Sequence, residues 1–205
     1  ARDLSRLPTH ILEQVEVIQG SHNDASTIDQ ALEGANSLFW LCPPDPHSKS
    51  VMSAYVDFTR PAYEAIKRHG MGSVVSISAL GRGTPMAANA GYVTASLAMD
   101  DLIASTGVAL RALTMPSFMD NIARQASSIR DQGRFFLPID DDRKLPAVAT
   151  RDIATVAAKL LLDTSCDGTG EVAVLGPDDL SFNDMADIMS DVLAKPIHYQ
   201  QVSFE

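Results

Sequence analysis

Short apolar runs rich in β-branched residues alternate along this chain with segments of helical period, and that alternation limits the fold more than any other feature. VEVIQG (15–20), SLFWLCP (37–43), GSVVSISALG (72–81), VALRALTMP (108–116) and EVAVLGP (171–177) read as strands. Several are apolar almost throughout, as parallel strands covered on both faces are. Between them, TIDQALEG (27–34) predicts a helix capped by Ser26 and ended by Gly34. Residues 50–70 carry Met52, Tyr55, Phe58, Ala62 and Ile66 three or four apart, a long helix that Pro61 must kink or split, because proline lacks a ladder donor. Residues 151–163 and 182–193 repeat the helical period. Strand and helix in alternation predict an α/β fold, a doubly wound parallel sheet with right-handed crossovers. From about residue 117 the sequence predicts more helix and fewer strands, a small C-terminal substrate lobe at the carboxyl ends of the strands. Residues 1–116 then form the core and 117–205 the lobe, with 171–177 returning to the core, in one folding unit.

Folds of this type that bind dinucleotides open on a strand and a G-x-G-x-x-G-type turn, where backbone amides meet a pyrophosphate. No such turn occurs here. ARDLSRLP reads as the end of a second strand and the turn after it, so the first β-α unit is expected to lie outside this sequence, as is a closing element after HYQQVSFE.

Composition removes several classes of function. Lys and Arg number 16 against 26 Asp and Glu, a net charge of −10 with no basic cluster, which excludes a nucleic-acid surface. Cys42 and Cys166 form no disulfide framework, and the reducing cytosol is the expected compartment. No apolar run reaches the roughly 18 residues of a membrane span. Histidines at 10, 22, 47, 69 and 198 lack ligand spacing, so no metal is expected, and PIDDDRK (138–144) reads as a solvated loop. CPPDPHSKS (42–50) reads as a loop beside a ligand groove. The adjacent acids Asp100–Asp101 and Asp178–Asp179 cannot both face one cleft, and their expected role is solvation at helix ends and loops.

Four stretches resemble the NmrA-like family, a branch of the atypical short-chain dehydrogenase/reductase superfamily with an NAD(P)-binding Rossmann fold. ARDLSRL resembles the turn after the family's second strand, and VEVIQGSHNDASTIDQALEGANSLFWLCP its third strand, loop, helix and fourth strand. VVSISALG resembles the fifth strand. STGVALRALTMPSFMDNI resembles the family's S-G-x-x-x-x-x-x-R-P-x-x-F-M-x-N stretch, the most specific of the four.

The resemblance implies NADP(H) as cofactor, with NAD(H) the second choice. Arg2 would face the adenosine 2′-phosphate, which a guanidinium fork suits. Ser21 and His22 stand near the adenine, where the family usually has an aspartate, and can hydrogen-bond or stack. Leu41, Cys42 and Pro43 would line the nicotinamide-side ribose, with Cys42 a small buried hydrophobe rather than a reactive thiol. Ser78 and Ala79 take the place of a catalytic Ser or Thr. Pro116 and Phe118 would close over the nicotinamide, and Asn121 would contact substrate or else its own backbone.

Tyr92, Ser96 and Asp100 match the Tyr, Lys, Glu register of short-chain dehydrogenases, whose tyrosine exchanges a proton with the reacting carbonyl while the lysine assists by its charge. Ser96 replaces that lysine. Without the cation, Tyr92 can donate to a bound carbonyl or quinone yet makes a poor general base; the other reading is a packed tyrosine at a helix start. Tyr92, Ser78 and Ser96 are thus the catalytic candidates, and Tyr92, Phe118 and Asn121 the substrate contacts. A quinone accepts hydride with little protic help. The expectation is an NAD(P)H oxidoreductase acting on a small molecule, a quinone or similar aromatic electrophile. A non-catalytic NAD(P) redox sensor that binds a protein partner stays open, as does oligomeric state, a homodimer included.

Overall fold

The expected alternation is present in the computed structural model, which describes residues 1–43 and 45–203. In chain order the elements are α1 (Thr9–Leu12), α2 (Ala25–Leu32), β1 (Ser37–Trp40), α3 (Phe58–His69), β2 (Ser73–Ala79), α4 (Tyr92–Ala104), β3 (Ala109–Met115) and β4 (Ser117–Phe118). Next come α5 (Asp120–Ala123), α6 (Ala126–Gln132), β5 (Arg134–Leu137), β6 (Leu145–Val148), α7 (Thr150–Leu162), β7 (Thr169–Ala173), β8 (Asp179–Leu180), α8 (Phe182–Leu193) and β9 (His198–Gln201). No helix among the described residues is long and apolar enough to cross a membrane.

Two compact units emerge, one of Ala1–Thr114 with Ala157–Val172, the other of Met115–Val156 with the residues from Ala173 on. The first holds a sheet in the order β1-β2-β3-β7. β1 and β2 run parallel, Ser37 opposite Ser73 and Trp40 opposite Ser76. Ile28 and Leu32 of α2, Ala62, Ala65 and Ile66 of α3, and Met99 and Ile103 of α4 pack with Trp40, Val74 and Leu110 into one buried cluster. Removing such apolar area from water is the main stabilising term. Trp40 stays 2% exposed because its indole N–H has a partner, the Thr59 hydroxyl at 3.1 Å.

Several local expectations are corrected. Residues 15–20 form no strand. Their hydrogen bonds go to Ala1, whose ammonium donates to the Ile18 carbonyl at 2.7 Å and whose carbonyl accepts from the Gly20 N–H at 3.1 Å. Helix α2 starts two residues earlier than its pattern suggests, because Asp24 and not Ser26 is the cap: its carboxylate accepts from the Thr27 N–H at 2.8 Å. Pro61 lies inside α3 without splitting it. The turn before α3, Ser53–Asp57, widens into a π-helical one, an irregularity beside the proline's missing donor.

The second unit departs most from expectation. It is richer in strands than predicted, with a three-stranded sheet β4-β6-β8 and a parallel pair β5-β9. β4 and β6 are parallel, β6 and β8 antiparallel. Strands of two to four residues are too short for alternation to show. Phe135, Phe182 and Ile197 form its core, and Tyr199 stacks on Phe182 with centroids 4.8 Å apart. Helix α8 begins as its sequence suggests, with Ser181 and Asp184 forming a reciprocal capping box.

Gly176 matters to this unit for its missing side chain. Its N–H donates to the Ala147 carbonyl at 2.8 Å, and a Cβ would overlap that same oxygen. Gly176→Ala is expected to lose about 1–3 kcal/mol, read as a lower urea midpoint at unchanged slope.

Candidate functional site

In the first unit, a cavity of ≈ 270 Å³ is lined by Ala1, Arg2, Ile18, Gly20, His22, Thr27, Ile28 and Ala31. Arg2, among the described residues, has no carboxylate within ion-pair distance. A Cβ on Gly20 would collide with the Thr27 side chain, so glycine permits the backbone's close approach at the cavity wall. His22 is keyed in place. Its Nε2 lies 3.0 Å from the Leu41 carbonyl, which can only accept, so this bond puts the ring proton on Nε2 and leaves Nδ1 an acceptor. The ring stands edge-on to Trp40 and Phe58, with centroids 5.3 and 4.8 Å away. Burial, chiefly, pulls the His22 imidazole below its ordinary value; the Leu41 carbonyl opposes this, and the Arg2 charge adds to it. A neutral ring, a guanidinium and apolar walls from Ile18, Ile28 and Ala31 suit a flat heterocycle carrying an anionic group. Arg2 and His22 thus line one cavity, while Ser21 lies in the adjoining turn.

A second cluster joins β2 to α4. Ser76 and Ser78, alternate residues of a strand, point the same way and both donate to Asp100, Ser76 at 2.7 Å. Asp100 is 2% exposed, which corrects the expectation of a solvated acid. Its neighbour Asp101 faces away and pairs with Arg82 at 2.8 Å, and Arg82 also bonds Glu171. Burial raises the Asp100 carboxyl to about 6, against the two serine bonds that favour its ionised form. The hydroxyl proton of Ser78 is therefore committed to Asp100, and Ser96 is buried one turn earlier on α4.

Tyr92 opens α4 with its side chain half in water, its ring 6.2 Å from that of Tyr55. Burial, then the nearby Cys42 and Tyr92 groups, raises the Tyr55 phenol. Cys42 is buried, its thiol pushed up to about 12 and 3.2 Å from the Ala54 carbonyl, so it is an inert small hydrophobe. Leu41 is exposed; Pro43 and Ala79 are half-buried, and Pro44 of the adjoining loop lies outside the described residues.

In the second unit, Phe118 and Asn121 line one cavity of ≈ 300 Å³ with Ile122, Arg124, Leu137 and Phe182 among its walls. Gln125 clamps its far strand, donating to the Phe136 carbonyl and accepting from the Phe136 N–H, both at 2.9 Å. Pro116 is half-buried in the connection between β3 and β4.

The sequence pattern overlooked Gly20, Thr27 and Arg124, and it gave Asp100 a place in the Tyr92–Ser96 register without its serine partners. Only Asp100 left a usable sign, a carboxylate in register with Ser96 and the apolar Met99 and Ile103 on a helix facing a strand with serines two apart.

Comparison with known proteins now bears on the fold. A family model described as NAD(P)H-binding matches residues 1–164. A (4-alkanoyl-5-oxo-2,5-dihydrofuran-3-yl)methyl phosphate reductase from Streptomyces griseus is 26% identical over 210 residues, covering 100% of this chain and 69% of that protein. Triphenylmethane reductase from Citrobacter sp., solved with NADP(H), superposes with a TM-score of 0.80 at 17% identity over 98% of this chain and 68% of that one. An NADPH-dependent quinone oxidoreductase from Escherichia coli, solved with NADPH, gives 0.78 at 18% identity, again over 98% and 68%. The chain thus spans about two thirds of these relatives, and the structural likeness is one of Rossmann-like fold.

Proposed function

The chain belongs to the NAD(P)H-binding family of NmrA-like, atypical short-chain reductases, and from that premise we propose that it binds NADP(H) and passes hydride to a small conjugated electrophile, a quinone or similar aromatic compound. The observation that carries this reading is the cavity around Arg2, Gly20 and His22. Its residues fit an adenosine 2′-phosphate: an unpaired guanidinium for the phosphate, a neutral imidazole and apolar walls for the adenine ring. Leu41, Pro43 and Ala79 would serve the remainder of the cofactor on the first unit, and Pro116 and Phe118 are the second unit's candidates for the nicotinamide.

Bound reduced nicotinamide would supply the hydride; a proton must come from elsewhere. Tyr92 is the group able to give one, since its phenol reaches solvent at the start of α4. Ser78 is a weaker candidate because its own proton is held by Asp100. With serine at position 96, Tyr92 would donate a hydrogen bond to the substrate oxygen rather than abstract a proton. That favours electrophiles needing little protic help, in keeping with a relative named for quinones.

The test is turnover of NADPH with a panel of quinones, followed by loss of the reduced-nicotinamide absorbance. Tyr92→Phe is expected to lower kcat by about a hundredfold, the low end of what a positioned acid contributes. The commitment of Ser78 to Asp100 favours one other reading, a redox sensor. Tight NADPH binding with no turnover on any quinone would select it.

A further inference from the structure

We propose that the cavity of the second unit is built for an amphipathic anion, a carboxylate or phosphate carried on an aromatic or aliphatic body. This deepens the reading above by giving the substrate a charge, and it rests on that reading only in calling the ligand a substrate.

The apolar part of the site is supplied by Phe118, Ile122, Leu137, Ile139, Phe182 and Met185. Of the polar side chains on its wall, Gln125 is committed to the Phe136 backbone and Ser117 offers a lone hydroxyl, which leaves two larger ones, Asn121 and Arg124. They are three residues apart on the turn formed by α5 and its C-cap, which puts them on one face. Among the described residues neither has a side-chain hydrogen bond or an ion pair. The acid nearest in sequence, Asp120, is engaged elsewhere: it accepts from the Thr150 N–H at 2.9 Å and the Thr150 hydroxyl at 2.8 Å, capping α7. Arg130, by contrast, is paired with Asp131 at 2.7 Å. The acids at 140–142 follow Ile139 in an exposed loop, where water and salt screen them.

A guanidinium presents five donors in a planar fork that matches a carboxylate or phosphate, and beside apolar walls its charge is screened less than in open water. Asn121 adds an amide donor at the same wall. A neutral hydrocarbon would fill the cavity and leave both polar groups unused. An anion with an apolar body uses the whole lining.

The experiment titrates the full chain calorimetrically with 2-naphthoate, 2-naphthyl phosphate and the neutral 2-naphthamide. At least one of the two anions is expected to bind about tenfold or more tightly than the amide, and which one does so identifies the headgroup. Arg124→Gln should bring anion and amide within about twofold of each other, chiefly by lowering anion affinity. Arg130→Gln, which removes an equal charge outside the cavity, should change nothing. Equal affinity for anions and amide, an anion preference that survives Arg124→Gln, or no binding by any of the three overturns the proposal. NADPH affinity, measured separately by nicotinamide fluorescence, keeps the two readings apart. Its absence would sink the cofactor assignment and leave the naphthoate result standing.

Discussion

Replacing Asp100 by alanine is expected to cost about 2–4 kcal/mol, because the buried hydroxyls of Ser76 and Ser78 would both lose the acceptor they now share. Asp100→Asn is the more informative change. The folded carboxyl titrates near 6, above the ordinary 3.8, since burial outweighs the two serine bonds. A raised value means that the folded protein holds the proton more tightly than the unfolded chain. The stability this brings is fully present below pH 3.8 and is lost as pH rises through 6. Integrated over that window it amounts to about 3 kcal/mol at most. The wild type should therefore lose stability relative to Asp100→Asn between pH 4 and 6, and the gap between their urea-unfolding free energies should level off above that. A gap that stays constant across the window would mean that Asp100 does not ionise there in the folded state.

The second large effect concerns Arg2. Under the proposed function, Arg2→Ala should weaken NADPH about tenfold to a hundredfold, the worth of a charge-assisted contact to phosphate, and change NADH less than about twofold. Fluorescence titration of the two reduced cofactors measures this directly. Raising the salt should shrink the wild-type preference and leave the variant indifferent. Equal loss for both cofactors would remove Arg2 from the 2′-phosphate and transfer its role to the rest of the dinucleotide.

Legibility in the sequence followed length and burial. β2 and β3 were readable to within a residue or two because seven-residue strands in a core leave near-continuous apolar runs. α8 was readable to the residue, since its apolar spacing runs through about three turns without interruption. By contrast β4 and β8, of two residues each, carry no periodicity at all. VEVIQG has the composition of a strand, but a strand is a property of two segments, and among the described residues no second strand runs beside it. At the candidate sites, local sequence points to neighbours such as Ser21 with His22 and Phe118 with Asn121. The partners that give them meaning come from afar. Arg2 and His22 meet at one cavity across a turn and a short helix, and Asp100 reaches 22 positions back to Ser78. Adjacent acids also share a spelling while having opposite fates. Asp101 remains in water with Arg82, and Asp100 is carried inward by a helix rotation of one residue.

The edge-on contact between His22 and the indole of Trp40 has a practical consequence. Trp40 is the chain's one tryptophan, 2% exposed and 5.3 Å from the ring that borders the Arg2 cavity. All indole emission thus originates beside that cavity, in a setting shielded from bulk water. The protein carries a single built-in optical reporter at the place where its cofactor is proposed to lie, and occupancy there can be followed on the native chain without attaching a label.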